Sequence, residues 1–341
     1  MKRLGAILVA VAMVGAAWWV RTSFIDDDSG GGNAGGERLD LLCGSELADA
    51  CERLADEDDS LNVKIADDGD TADRLSTKRG TANFDAWLSA GPWPAIVADN
   101  RAAAGLRTDP LGGTSRVLGR SPVTLVGPTD RVEALEQHCG GTISWSCVGD
   151  ASGQPWSSLG AAPAWGAFRT GLTPVDTGGG LVALDQAVAN RSGTTDWSTT
   201  ELDDVSEWLS QLVGAATFSN DPLDVMLTRP GSFSLTAPLE RRSGPAFGRA
   251  GTGSRFRLLY PEPMVTADVT LSAAAKEDVG DLLDRLGPER VARALADGGW
   301  RLPGQRSPFT VGGSPELPKG SGLTTPGALQ ALRTTVQEMR P

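Results

Sequence analysis

Cysteine spacing is the most specific chemical signal in the chain. Cys43 and Cys51 form one C-x7-C pair, and Cys139 and Cys147 form another. An even count in an exported chain favours disulfides. Three pairings are possible. Cys43–Cys51 with Cys139–Cys147 is preferred, because each pair is local and the two lie far apart. The competing chemistry is a metal site using His138 beside Cys139, but it lacks the close C-x2-C spacing of zinc sites. A single His and a single Tyr, Tyr260, among 341 residues leave little choice of general base. There is no Gly-x-Ser-x-Gly elbow and no Gly-x-x-x-x-Gly-Lys loop. Gly178-Gly179-Gly180 lacks the strand context of a dinucleotide fingerprint. The chain is therefore read as a non-enzyme with no cofactor and no metal.

Two short segments have the composition of anion cradles. Gly44-Ser45 joins an apolar strand to a helix, so backbone N–H groups and the Ser45 hydroxyl converge there. The alternative is a plain N-cap. Glu46 in the same turn repels an oxyanion unless it faces away, and suits a cationic, amino or hydroxyl-rich ligand better. Asp176-Thr177-Gly178 opens a second helix in the same manner, again with simple capping by Thr177 as the alternative.

The elements that must position these residues follow from periodicity. Leu39–Leu42, Leu61–Ala66 and Phe84–Leu88 read as strands, with helices over 47–55 and 71–79 between them. This β-α-β-α-β order predicts a parallel sheet covered by helices. Further strands are expected at 123–126 and 256–260, and extended chain at 264–271. Helices are expected at 130–137, at 181–189, from a capping box at Ser198–Glu201, over 278–296 with a break at Gly287-Pro288, and over 325–339.

The amino terminus sets the compartment. Lys2 and Arg3 precede an uncharged run, 4–20, which reads as an export signal, either an uncleaved anchor or a cleaved peptide within 1–25. The Gly- and Asp-rich stretch 26–38 reads as a flexible linker. The folded part is thus expected outside the cytoplasm, held to the membrane by 4–20 or secreted. A net charge of −12 argues against nucleic acid as a partner.

The order of several motifs resembles that of type 2 extracellular solute-binding proteins of the molybdate/sulfate-binding-like superfamily. The similarity is greatest to actinobacterial members associated with von Willebrand A domains. The matching residues are Leu41-Leu42-Cys43-Gly44-Ser45-Glu46-Leu47-Ala48, Phe84-Asp85-Ala86-Trp87 and Ser121-Pro122-Val123. They continue with Trp145-x-Cys147-x-Gly149-Asp150, Trp165-Gly166, the run 178–184 and Tyr260-Pro261-Glu262-Pro263. Val265-Thr266-Ala267-Asp268 and Gly299-Trp300-Arg301-Leu302-Pro303 complete the set. No lipobox cysteine is present, and 341 residues leave no room for a von Willebrand A domain.

The resemblance implies an α/β, two-lobed type 2 periplasmic-binding-protein fold with a cleft between the lobes. Lobe 1 would be 39–121 plus 262–341, and lobe 2 would be 122–261. The implied ligand-binding set is Gly44, Ser45, Glu46, Ser89, Ala90, Ser121, Asp176, Thr177, Gly178 and Tyr260. Trp87 and Trp93 lie near the implied cleft edge, where they would stack on an organic ligand or belong to the core. The implied partners are a small solute and a membrane transporter. The alternative is an interaction or sensing module that docks a protein such as a von Willebrand A partner.

Overall fold

The computed structural model describes residues 38–249, 251–305, 309 and 316–340. The expected export segment, and the linker up to residue 37, lie outside the described residues. Among the described residues no helix is long and apolar enough to cross a membrane.

The chain opens as β1 (Leu39–Gly44), α1 (Ala48–Glu57), β2 (Leu61–Ala66), α2 (Asp68–Ser76), β3 (Ala86–Ala90) and α3 (Trp93–Ala103). β1 pairs in parallel with both β2 and β3. β1 and β3 are apolar on nearly every residue, as strands covered on both faces must be. β4 (Leu111–Pro122) and β10 (Thr266–Ala274) complete a five-stranded sheet of order β2-β1-β3-β10-β4, with β10 antiparallel to both neighbours.

The middle of the chain builds a second sheet. It runs β5 (Leu125–Pro128), α4 (Thr129–His138), α5 (Trp145–Ala151), β6 (Thr170–Leu172), α6 (Gly178–Ser192), α7 (Thr199–Asp204) and α8 (Ser206–Ala215). It continues with β7 (Thr217–Phe218), α9 (Pro222–Thr228), β8 (Leu235–Thr236), α10 (Glu240–Phe247), α11 (Thr252–Arg255) and β9 (Phe256–Leu259). The strand order is β7-β6-β8-β5-β9. The chain thus crosses between sheets twice, at 123–124 and again at 260–265. Beyond β10 come α12 (Val279–Leu286), α13 (Pro288–Asp297) and α14 (Pro326–Met339).

Both local disulfides are present, Cys43–Cys51 with Cα atoms 6.6 Å apart and Cys139–Cys147 at 5.9 Å. The first ties β1 to α1, and the second links the end of α4 to α5. The capping box at Ser198 and Glu201 forms as its spacing predicts. The helix expected to run on from it lapses from regular geometry at Val205 (φ −98°, ψ 4°). The hydrogen bonds Val205 N–H to Glu201 and Leu209 N–H to Val205 survive there. Trp87 and Trp93 are fully buried, and their indole N–H groups donate to Asp68 Oδ1 and Ala90 O at 3.0 Å each. They belong to the core and do not stack on a ligand.

Candidate functional site

The N-terminal turn of α6 is where the two sheets' loops meet. Thr177 caps it, accepting from Gly180 N–H at 3.1 Å and donating to Pro174 O at 2.8 Å. Three loops of the first sheet close on this turn. Gly69 N–H donates to Asp176 O at 3.0 Å. Gly178 sits so near the end of β3 that an added Cβ would lie 1.9 Å from Ala90 O, so only glycine permits the approach. Glu46 turns its carboxylate onto Gly179 N–H, with both oxygens at 3.1 Å. The two candidate cradles therefore face each other, and a carboxylate of the chain itself takes the anion position at the α6 terminus.

Burial raises the Glu46 pKa, opposed in turn by the Arg241 charge, the Gly179 N–H and the Arg242 charge. Asp68 lies behind it at 2 % exposure, bonded by Trp87 Nε1 at 3.0 Å and Ala90 N–H at 3.1 Å. Its pKa is held well above the usual carboxylate range, first by burial and also by the Glu46 charge.

Beside this contact opens a cavity of about 330 Å³, with walls from both sides of the cleft. Ser45, Glu46, Asp49 and Asp67 come from the first sheet's loops, and Thr173, Thr177, Asn220, Asp221, Arg241 and Arg242 from the second's. Arg242 is ion-paired with Asp221. Arg241 is different. Its guanidinium has no hydrogen bond or ion pair among the described residues, and its Nε is enclosed. It lies over the Trp300 ring at 5.1 Å. Burial lowers its pKa, against the Glu46 and Asp49 charges. Thr173 Oγ1, in the same lining, is also enclosed without a partner.

Of the residues expected from the sequence, Ser45, Glu46 and Thr177 line the cavity, while Ala90 and Gly178 form the tight backbone contact beside it. Gly44 packs on Asp68, where an added Cβ would lie 2.2 Å from Oδ2. The structure places the other four elsewhere. Ser89 is fully buried inside β3. Ser121 Oγ accepts from Arg241 N–H at 2.9 Å. Tyr260 donates its hydroxyl to Glu240. That acid is itself held by Arg301 through Nε–Oε2 and Nη2–Oε1 contacts of 2.6 Å each, with Glu240 at 0 % and Arg301 at 2 % exposure. Ser121 and Tyr260 thus belong to the crossing between the sheets.

Asp176 is taken by the last helix. Arg333 of α14 donates Nε to Asp176 Oδ1 at 2.8 Å and reaches Asp73 of α2 with both Nη atoms, at 2.5 and 2.8 Å. Gln337 adds a second bond to Asp176 at 2.8 Å. α14 is therefore a strap across elements of both sheets.

Sequence reasoning missed Asp49, Asp67, Thr173, Asn220, Asp221, Arg241 and Arg242. Only Asp49 lies on an element that local periodicity predicts, and none stands in a recurrent motif. A larger hollow of about 500 Å³ lies at the β1–β2 edge, lined by Leu42, Asn62, Lys64, Arg74 and Phe84 among others. None of the enclosed partnerless polar atoms lines it. Its Asn62 and Arg74 side chains bond to Asp40 and Thr81. The cleft cavity is therefore the better candidate site.

No protein-family model and no curated protein matches the chain. Solved structures do match in fold. Iron-bound HitA from Pseudomonas aeruginosa has a TM-score of 0.59 at 10% identity, over 89% of this chain and 99% of that one. The periplasmic binding protein AfuA from Actinobacillus pleuropneumoniae, with fructose-6-phosphate bound, has 0.58 at 12%, over 89% and 98%. Apo FutA2 from Synechocystis PCC6803 has 0.56 at 14%, over 90% and 99%. The chain has the two-lobed α/β fold of the periplasmic binding proteins.

Proposed function

We propose that the chain is an extracytoplasmic solute-binding protein that holds a small solute between its two lobes, taken as 39–121 plus 262–341 and 122–261. The observation that carries this reading is the partnerless Arg241 guanidinium, which shares one cavity lining with the partnerless Thr173 hydroxyl. Enclosed polar atoms are rarely left without a hydrogen bond, and orphans gathered on one cavity suit a ligand that supplies the missing partners. The fold likeness to binding proteins supports the same reading by analogy. Delivery to a membrane transporter, and tethering through 4–20, complete the proposal.

One observation favours a second reading. The lobes are tied directly, through Glu46–Gly179 and through the Arg333 strap. On that reading the fold serves as a module docking a protein partner, such as a von Willebrand A protein.

Thermal unfolding of the full chain in detergent, against oxyanions, amino acids, sugars, polyols and metal ions, separates the two. A ligand at 100 times its Kd adds about 2.7 kcal/mol, which raises Tm by about 4 °C for a chain of this size. A shift with one ligand class supports solute binding. No shift across the panel favours the docking module.

A further inference from the structure

The cleft cavity carries charge of both signs on opposite sides, and the charges are not equally engaged. On the second sheet's side, Arg242 is paired with Asp221, while the Arg241 side chain has no hydrogen-bonding or ionic partner among the described residues. On the first sheet's side, Glu46 is engaged by Gly179 N–H. Asp49 and Asp67 line the same cavity, and no hydrogen bond or ion pair reaches either side chain among the described residues. The charged groups without a protein hydrogen bond or ion pair among the described residues are thus one partly buried guanidinium and two exposed carboxylates, lining one volume of about 330 Å³.

We infer that the solute is a zwitterion, with its anionic group on Arg241 and its ammonium toward Asp49 and Asp67. This rests on the solute-binding reading and names the ligand class of that same cavity. A simple oxyanion would satisfy Arg241 but would share the cavity with the like charges of Asp49 and Asp67. A simple cation would meet the acids but would leave the enclosed Arg241 Nε unbonded. Only a molecule with both charges satisfies both walls. Thr173 Oγ1, Ser45 and Asn220 line the same cavity and offer neutral hydrogen bonds there.

The test is titration calorimetry on the full chain in detergent. The probes are glycine, β-alanine, 4-aminobutanoate and 6-aminohexanoate, which separate the charges progressively. Each is compared with the carboxylate lacking its amine and the amine lacking its carboxylate, alongside sulfate and phosphate. Expected is binding of at least one zwitterion, with each single-charge counterpart weaker by about tenfold or more. Arg241→Gln should weaken that binding by about 10–100-fold, the range of a hydrogen bond to a charged group. Arg241→Lys, which keeps the charge and loses the fork, should fall between the two. The ligand series needs no variant, so a poorly folded Arg241→Gln does not decide the result.

A carboxylate or inorganic oxyanion binding as tightly as any zwitterion overturns the zwitterion class and leaves solute binding standing. Zwitterion binding indifferent to Arg241→Gln overturns the assignment of the anionic group. Silence from every probe here, together with silence from the sugars, polyols and metals, overturns the solute reading itself.

Discussion

Two consecutive residues at the start of α10 face two consecutive residues near the end of the chain, and the outcomes are opposite. Glu240 meets Arg301 in a fork of two 2.6 Å contacts, with both side chains almost wholly buried. The Arg241 guanidinium meets the Trp300 ring and nothing that accepts its hydrogen bonds among the described residues. One arginine is a fixed part of the crossing between the sheets, and the other lines the cavity. Both arginines stand beside the crossing between the sheets, and the complement of acceptors separates the structural one from the one available to a ligand.

The sharpest way to break this comparison is to remove the acid from the paired side. Glu240→Gln leaves the Arg301 charge without its bidentate carboxylate. Loss of one partner from a buried ion pair costs about 3–5 kcal/mol. Denaturant unfolding should show that loss. A change under about 1 kcal/mol would mean the pair contributes little beyond what a neutral amide supplies. The matched apolar replacement, Glu240→Met with Arg301→Met, should recover much of the loss, because desolvating both charges offsets most of their attraction.

Next in size is the contact between the lobes. Gly178→Ala places a Cβ 1.9 Å from Ala90 O unless the backbone moves. Overpacking of this kind costs about 2–3 kcal/mol, within the range for forced backbone shifts. Unfolding should move to lower denaturant, while Gly193→Ala, beyond the other end of α6, strains only its own left-handed turn (φ +78°). Equal losses at both positions would remove the distinction between lobe contact and local conformation.

A buried acid without a full set of donors extends the comparison to pH. Asp185 on α6 is fully buried, with Oδ1 bonded by Trp197 Nε1 at 3.0 Å and Oδ2 unbonded. Burial pushes its pKa up to about 7, partly offset by the Thr324 amide and the Trp197 indole. An unfolded aspartate titrates near 3.9, so between about pH 4 and 7 the folded chain holds a proton that the unfolded chain has released. Its contribution to stability is present below pH 4, falls as pH rises to 7 and is flat above. Relative to Asp185→Asn, the parent should lose on the order of 2 kcal/mol between pH 5 and 8, at about 1.4 kcal/mol per pH unit before the curve flattens. A difference independent of pH would place the Asp185 titration outside this window.

The sequence showed the first sheet well, and the reason is local. β1, β2 and β3 are short apolar or alternating runs with turn residues between them, so local periodicity identifies each. β4 was not legible, because Gly112-Gly113-Thr114-Ser115-Arg116 is polar and exposed, and it is a strand only through its pairing with distant β10. The candidate site shows the same division. Ser45, Glu46 and Thr177 stand at helix starts, which local sequence marks. Arg241 and Thr173 matter through what surrounds them in space, and nothing in their neighbours along the chain says so. Asp176 looked like part of the cradle because the strap that occupies it, Arg333, lies 157 residues away.

The smallest effect tests the comparison most directly. Arg241→Met keeps the side-chain length over Trp300 and removes the charge. Arg241 gives up no hydrogen bond among the described residues, so the loss is confined to its ring contact and to the attraction of Glu46 and Asp49. Burial already works against its charged form, so replacing it relieves a desolvation cost. The two should nearly cancel, leaving a stability change within about 0.5 kcal/mol, as for sites outside a bonded network. Denaturant unfolding of Arg241→Met beside Arg301→Met therefore reads the difference between two arginines of one chain. A loss at Arg241 as large as that at Arg301 would make both structural, and would remove the physical basis for assigning Arg241 to a ligand.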